Sequence, residues 1–288
     1  MILKSNSYTQ NLKIATIFVS AMYGSGCVKQ NSIPTYVAIN NFSLSTKSTE
    51  GSNSQKITDA WVFINGTSNG VFPLPTIFPI LDSGSVDVEI FPGVRGDGIK
   101  SNPIIYPFYT SYKTKFVSTS EKTYTLKPSI TYNSSAQIGI NEDFERTNIL
   151  SVNRDPVTNV PFTIINNGFE GKSAQAILDG SSPTIEKCTT VRVPIAQNVN
   201  NAFIELNYKT TALLYIGLVA SDAAYSDVSS VYKIALYPNT EWNKTYISVL
   251  DEIHGLNKPY YQIAIKSVKP DSLDKVTILI DNLKLITN

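Results

Sequence analysis

Ser85-Val86-Asp87-Val88-Glu89-Ile90-Phe91 decides the class of fold. Val86, Val88 and Ile90 fall at every second position with Ser85, Asp87 and Glu89 between them, and a period of two is that of a strand with one buried face and one wet face. Upstream, Ala60-Trp61-Val62-Phe63-Ile64 runs into Asn65-Gly66. Asn-Gly accepts the positive φ angles of a two-residue hairpin turn, so one strand ends and its partner begins there. Short runs of this kind, separated by Gly, Pro and Asn, continue from Pro34 to about Tyr132 at the spacing of an antiparallel sandwich. From about Ile138 the runs lengthen, and the chain closes on Thr277-Ile278-Leu279-Ile280-Asp281-Asn282-Leu283-Lys284-Leu285. The sequence predicts an all-β chain of two β-sandwich domains, at about 35–133 and 138–288. The 288 residues suffice for two units that each bury a core.

Composition and charge narrow the function. Lys and Arg number 24 against 23 Asp and Glu, a formal charge of +1, which leaves no electrostatic case for nucleic acid as a partner. Charged residues are only 16% while Tyr occurs 16 times, the composition of an extracytoplasmic β protein. Lys4 and Lys13 precede the apolar run from Ile14 to Tyr23, and Gly24-Ser25-Gly26 leads into Cys27. This reads as a signal peptide over 1–26, its apolar run too short to span a bilayer core of about 30 Å. The tripeptide and Cys27 resemble the lipobox of bacterial lipoproteins, with Gly24 where that pattern usually has Leu. The resemblance implies acylation of Cys27, a lipidated tether over 27–34, and an exported chain held by its lipid on the cell envelope, with the outer membrane expected. It leaves open which face the chain occupies. Cys27 on lipid would leave Cys188 without a disulfide partner, in a strand-like run where it reads as a small buried hydrophobe.

No catalytic constellation stands out. A Cys-His or Ser-His-Asp site would have to use His254, the one His, in the turn-like Ile253-His254-Gly255. Glu142, Asp143, Glu145, Asp251 and Glu252 sit at turns and strand ends rather than as a pair across a cleft, which glycoside hydrolysis requires. Phosphate-loop, dinucleotide and paired-His zinc motifs are missing. Arg95-Gly96-Asp97 reads as a turn in a Gly-rich loop. Tyr106-Pro107-Phe108-Tyr109-Thr110-Ser111-Tyr112, taken as a strand, puts Tyr106, Phe108 and Tyr112 on one face, as core or as a ring platform.

Two family resemblances sharpen these expectations. Val62-Phe63-Ile64-Asn65-Gly66, Gly70, Pro73-Leu74-Pro75, Gly84, the run from Val86 to Ile90 and Pro92-Gly93 resemble the PEGA-type small, Ig-like β-sandwich. In the second half, Asp143-Phe144-Glu145, Gly171-Lys172-Ser173-Ala174, the run from Phe203 to Lys209, Glu241-Trp242 and Ile280-Asp281-Asn282-Leu283 resemble, in that order, a carbohydrate-binding-module jelly roll of the galactose-binding-like class. That likeness implies two face-to-face sheets with first and last strands adjacent. It further implies a structural Ca²⁺ shared by Glu145 and Asp281, with Asp143 and Asp179 as further ligands; the other reading is that these carboxylates cap backbone N–H groups.

Modules of this kind hold glycans by stacking Tyr or Trp on sugar rings, which nominates Tyr225, Tyr232, Tyr237, Tyr260 and Tyr261 as exposed rings. The expected function is non-catalytic: a membrane-anchored envelope lipoprotein acting as a structural or interaction module, or alternatively a cell-surface glycan-binding lipoprotein using the jelly roll. A polysaccharide or an envelope protein is the expected partner. The interaction role predicts an exposed aromatic patch that includes Tyr109; the glycan role predicts aromatics gathered in a groove or at a loop end.

Overall fold

The computed structural model describes residues 33–99, 101–227 and 230–288. The signal peptide, Cys27 and nearly all of the tether lie outside them. The predicted strand at Ser85 is part of Gly84–Arg95, with Val86, Val88 and Ile90 fully buried and Ser85 and Asp87 exposed. Asp59–Ile64 and Thr67–Pro73 pair around the Asn65-Gly66 turn, where φ is 49° and 79°, the left-handed conformation a tight hairpin demands. These strands belong to a five-stranded sheet, completed by Pro103–Ile105 and Tyr112–Ser118 on either half of Gly84–Arg95. A three-stranded sheet of Thr76–Ile80, Thr35–Ile39 and Thr123–Leu126 accompanies it, with a parallel pair of Ser43–Leu44 and Ser129–Ile130. Val37, Ile39, Phe78, Val62, Ile90 and Tyr106 share one core.

The C-terminal residues form two six-stranded sheets. The first runs Thr163–Ile165, Ser173–Leu178, Val276–Thr287, Ala202–Thr210, Asn239–Ser248, and Gln137–Glu142 also pairs along Val276–Thr287. First and last strands are therefore adjacent, with Gln137 opposite Thr287. The second runs Val152–Asn153, Thr184–Cys188, Tyr260–Val268, Leu214–Ser221, Val231–Leu236, with Val193–Pro194 also on Tyr260–Val268. Ile204, Leu206, Ile278, Ile280 and Leu285 of the first sheet meet Ile216, Leu218, Ile263 and Ile265 of the second in a core of apolar side chains. Among the described residues no helix is long and apolar enough to cross a membrane.

The two C-terminal sheets differ in what covers their outer faces, and this decides where a ligand can reach. On the first sheet Phe203, Tyr246 and Ile286 point away from the sandwich core and pack with Tyr106, Phe108, Tyr109 and Tyr132 in the N-terminal core. The centre of this sheet is thus buried on both faces, and eleven of the twelve residues of Val276–Thr287 are buried. It is called the junction sheet below, and the other, whose far face is buried at Cys188, Val219, Gln262 and Ala264 but reaches solvent at Tyr215, Lys266 and Val268, the open sheet.

Two expectations fail locally. His254 sits not in a turn but in a short helix, Leu250–Leu256, closed by Asn257 in the left-handed conformation at φ 48°. Residues 106–111 are not a strand: Pro107 and Phe108 form a turn, Tyr109 makes an isolated bridge to Tyr132, and the ladder resumes at Tyr112. Pro107 has no N–H for a ladder, which accounts for the break.

Candidate functional site

The outer face of the open sheet is built by alternation. Along Leu214–Ser221, Leu214, Ile216 and Leu218 enter the core, so Tyr215, Gly217 and Val219 face outward. Along Tyr260–Val268, Ile263 and Ile265 enter the core, so Gln262, Ala264, Lys266 and Val268 face outward. Cys188, Val219 and Ala264 make a small buried apolar patch there. Burial pushes the Cys188 thiol up to about 11, which makes it inert as a nucleophile at neutral pH.

Beside that patch a groove of about 480 Å³ opens over Tyr215, Tyr232, Lys266 and Val268, with Lys233, Ile234 and Ala235 along its edge strand. The Tyr215 and Tyr232 rings meet edge to face at 6.2 Å. Lys266 Nζ stands 5.9 Å over the Tyr232 ring and 3.7 Å from Glu186 Oε2. Ser230 Oγ donates to Glu186 Oε1 at 2.6 Å. The Tyr232 hydroxyl is buried beside Ser230 and Glu186, and burial raises its pKa above the ordinary phenol value. Lys233 turns the other way, to Glu252 at 3.2 Å and Asp251 at 3.5 Å, which ties the helix Leu250–Leu256 to the groove's edge.

The ladder slips one residue between Ile216 and Gly217, and this bulge is what brings Tyr232 opposite Gly217. A Cβ on Gly217 would strike the Val231 carbonyl oxygen, so only glycine allows the strands to approach here. The groove thus combines aromatic faces and a cation on a sheet, which can stack an apolar ring face and take its hydroxyls.

The five nominated tyrosines do not form one surface. Tyr232 lines the groove. Tyr225 and Tyr260 meet at 5.1 Å with their ring planes tilted 57° at one end of the open sheet, with Arg192 5.2 Å over the Tyr225 ring. Arg192 and Arg154 both bind Asp227, at 2.9 and 3.0 Å. Tyr237 is 78% exposed beyond the edge strand, with no ring beside it among the described residues. Tyr261 is not an exposed ring: it is fully buried in the sandwich core, and its hydroxyl donates to Ile253 O at 2.9 Å. The strand's alternation puts 261 inward and 260 outward, so adjacent tyrosines part company. Tyr215 escaped sequence reasoning, although its place between Leu214 and Ile216 marks it as outward-facing.

The carboxylates nominated for Ca²⁺ are engaged by N–H groups. Asp281 Oδ2 accepts from Phe169 N and Glu170 N at 2.9 and 3.1 Å, and its Oδ1 from Asn282 N at 2.7 Å. Glu145 Oε1 accepts from Lys172 N at 2.6 Å, while Lys172 Nζ donates to Glu145 O at 3.0 Å. Asp143 accepts from Glu145 N at 3.1 Å, and Asp179 caps Ser181 and Ser182 in a different loop. No group of three or more His, Cys, Asp or Glu side chains converges among the described residues. As arranged, these carboxylates cap backbone N–H groups, which is the second of the two expected readings. Burial pushes Asp281 up to about 6.

Glu142 likewise caps backbone, accepting from Phe144 N at 2.7 Å and Ile149 N at 3.3 Å. Arg95-Gly96-Asp97 is a docking turn: Asp97 N donates to Tyr246 O at 2.9 Å, Asp97 Oδ1 accepts from Ser248 N at 2.9 Å, and Arg95 pairs with buried Asp59 at 2.9 Å.

Sequence reasoning missed a buried charge network where the N-terminal core meets the junction sheet. Glu205 is fully buried and accepts from Tyr106 Oη at 2.7 Å and Tyr132 Oη at 3.0 Å, with Lys244 Nζ 2.7 Å away. Lys284 Nζ donates to Tyr132 Oη and Ser52 O, both at 3.2 Å. Burial pushes the Glu205 carboxyl up, but the neighbouring Lys244 and Lys284 and these bonds outweigh it and hold the carboxyl below its ordinary value. Burial pulls Lys284 down to about 8. Tyr109, nominated for an exposed patch, is 4% exposed, its hydroxyl 3.3 Å from that of Tyr246.

No protein-family profile and no curated protein matches this chain. Solved structures do. Carbohydrate-binding modules of the β-sandwich superfamily, studied for promiscuous specificity, are 14% identical over 79% of this chain and 84% of theirs, with a TM-score of 0.36. The family 30 carbohydrate-binding module of a cellulosomal cellulase of Clostridium thermocellum is 10% identical over 52% of this chain and 96% of its own, with a TM-score of 0.38. An arabinose-bound α-L-arabinofuranosidase is 13% identical over 53% of this chain at a TM-score of 0.36, and the chain spans 26% of that enzyme's length. The fold class itself rests on the sheets of this chain: it is all-β, built as sandwiches.

Proposed function

We propose that this chain is a non-catalytic glycan-binding module that uses the groove on its open sheet. The observation that carries this reading is the Tyr215–Tyr232 ring pair at 6.2 Å, set in an open groove of about 480 Å³ that Lys266 also lines. Ring faces take the apolar side of a pyranose, and charged side chains on a rigid sheet fix its hydroxyls. A groove open along a sheet suits a run of sugar units in a chain rather than a small molecule enclosed on all sides. The structural or interaction role is less well supported, because Tyr109 and its neighbouring rings are spent inside the molecule.

In this reading the chain is exported, cut before Cys27 and held on the bacterial envelope by lipid, so that the open sheet samples polysaccharide near the membrane. Cys27→Ser then releases the protein from the detergent phase into the aqueous phase; unchanged partitioning would refute the anchor. A glycan array probed with the 28–288 chain tests the binding. Wild type gives reproducible signals that Tyr215→Ala loses; a blank array from folded protein, or signals that Tyr215→Ala leaves intact, would sink the groove.

A further inference from the structure

A second cavity lies at the joint between the N-terminal core and the junction sheet. It measures about 380 Å³, within the roughly 300–1,000 Å³ of small-molecule sites. Its lining is unlike that of the groove. Lys56, Arg95 and Lys244 are three cations among its walls, and no carboxylate lines it. Two of the three cations are already paired, Arg95 with Asp59 at 2.9 Å and Lys244 with Glu205 at 2.7 Å, and Glu205 also takes two tyrosine hydroxyls. Lys56 has no ion-pair partner among the described residues, and its ammonium donates only to the neutral amide oxygen of Asn243. Pro73 and Leu74 supply an apolar side.

Such a lining asks for a negative charge. Lys56 stands exposed at the cleft with only a neutral amide beside its ammonium, so it is free to take an incoming anion. Burial lowers the pKa of Lys56, a cost that an incoming anion would relieve. An inorganic anion would use the cations alone; a ring bearing a carboxylate would use the Pro73–Leu74 wall as well.

We propose that this cleft binds a carboxylate-bearing ring, the uronic acid unit of an acidic glycan, with the carboxylate between Lys56 and Arg95 and the ring against Pro73 and Leu74. The choice of a sugar acid over other carboxylates rests on the glycan reading above; the anion site itself does not. Because the cleft draws its walls from both halves of the chain, a ligand here bridges them.

Calorimetric titration of the 28–288 chain with trigalacturonate, monomeric galacturonate and neutral galactotriose tests the proposal, using wild type, Lys56→Gln and Tyr232→Ala. The expected result is trigalacturonate binding that weakens with added NaCl and falls by about tenfold or more in Lys56→Gln, a loss of ~1.4 kcal/mol. Tyr232→Ala leaves it unchanged, and galactotriose does not enter the cleft. Monomer binding as tight as the trimer also supports the site and names free sugar acids as its source. Trigalacturonate binding lost in Tyr232→Ala but kept in Lys56→Gln would overturn the proposal and place acidic chains in the groove. Absence of any uronate binding by folded wild type would overturn it too, while the groove would still stand or fall on neutral glycans.

Discussion

Glu205 shows at the scale of one residue how this molecule is held together. It lies in a strand whose alternation, Ile204 and Leu206 inward against Glu205 and Asn207 outward, is that of a solvent-facing strand, yet it is fully buried because a second core covers it. Period-two patterning reports which residues share a face, not whether that face meets water, so the charged network was invisible in the sequence. Glu205→Gln strips Lys244 and Lys284 of their counter-charge, and breaking one partner of a buried pair costs about 3–5 kcal/mol. Urea unfolding at pH 7 checks this; a loss near zero would contradict the network. The sign with pH follows from the lowered carboxyl. Its folded-state pKa lies below the ordinary 4.5, so its stabilisation is complete above about 4.5 and fades as pH falls through the folded value. The gap between wild type and Glu205→Gln narrows in acid. For Lys284, held near 8 against an ordinary 10.5, the folded chain binds fewer protons between those values, so wild type gains stability over Lys284→Met as pH rises from about 8 to 10.5. The calcium reading is testable at this scale too. With Asp281 and Glu145 capping backbone N–H groups, chelator and added Ca²⁺ are expected to leave the melting temperature unchanged; a chelator-sensitive rise that Asp281→Ala abolishes would restore the metal.

At the scale of elements, the hairpin and the groove's edge make a useful contrast. Asn65-Gly66 was legible because its φ requirement is local, whereas the bulge at Gly217 depends on how two strands meet and left no mark beyond a glycine in an apolar run. Gly66→Ala places its Cβ in open space, so its cost is conformational alone, about 1–2 kcal/mol from the left-handed φ. Gly217→Ala drives its Cβ into the Val231 carbonyl and forces the strands apart. Melting curves together with glycan binding separate the two. Gly66→Ala lowers stability with affinity intact, and Gly217→Ala loses both; an unchanged affinity in Gly217→Ala would mean that the bulge does not set the groove. Tyr261 carries the same lesson in reverse. Two adjacent tyrosines look alike in a list, and only the strand's phase tells which one water can reach.

For the whole molecule, the all-β class and the change of pattern near Ile138 were legible, because they follow from periodicity, while the adjacency of first and last strands came only with the resemblance to a carbohydrate-binding module. How the two halves meet was not legible, since the rings from Tyr106 to Tyr112 read as a core or as a platform. Their burial against Phe203 and Tyr246 makes one continuous packing from the N-terminal sheets into the junction sheet. Heating therefore gives a single cooperative transition seen alike by calorimetry and tyrosine fluorescence; two separated transitions would show that the joint is weaker than its packing implies. The same joint leaves the open sheet as the face of the sandwich free to meet a polymer, with the groove at Tyr232 and the ring pair Tyr225–Tyr260 at its end. Calorimetric titration of wild type, Tyr232→Ala and Tyr260→Ala with the oligosaccharide that gives the strongest array signal tests this most directly. The account predicts that Tyr232→Ala weakens binding by about tenfold or more while Tyr260→Ala changes it little; full affinity in Tyr232→Ala, with or without loss in Tyr260→Ala, would contradict it.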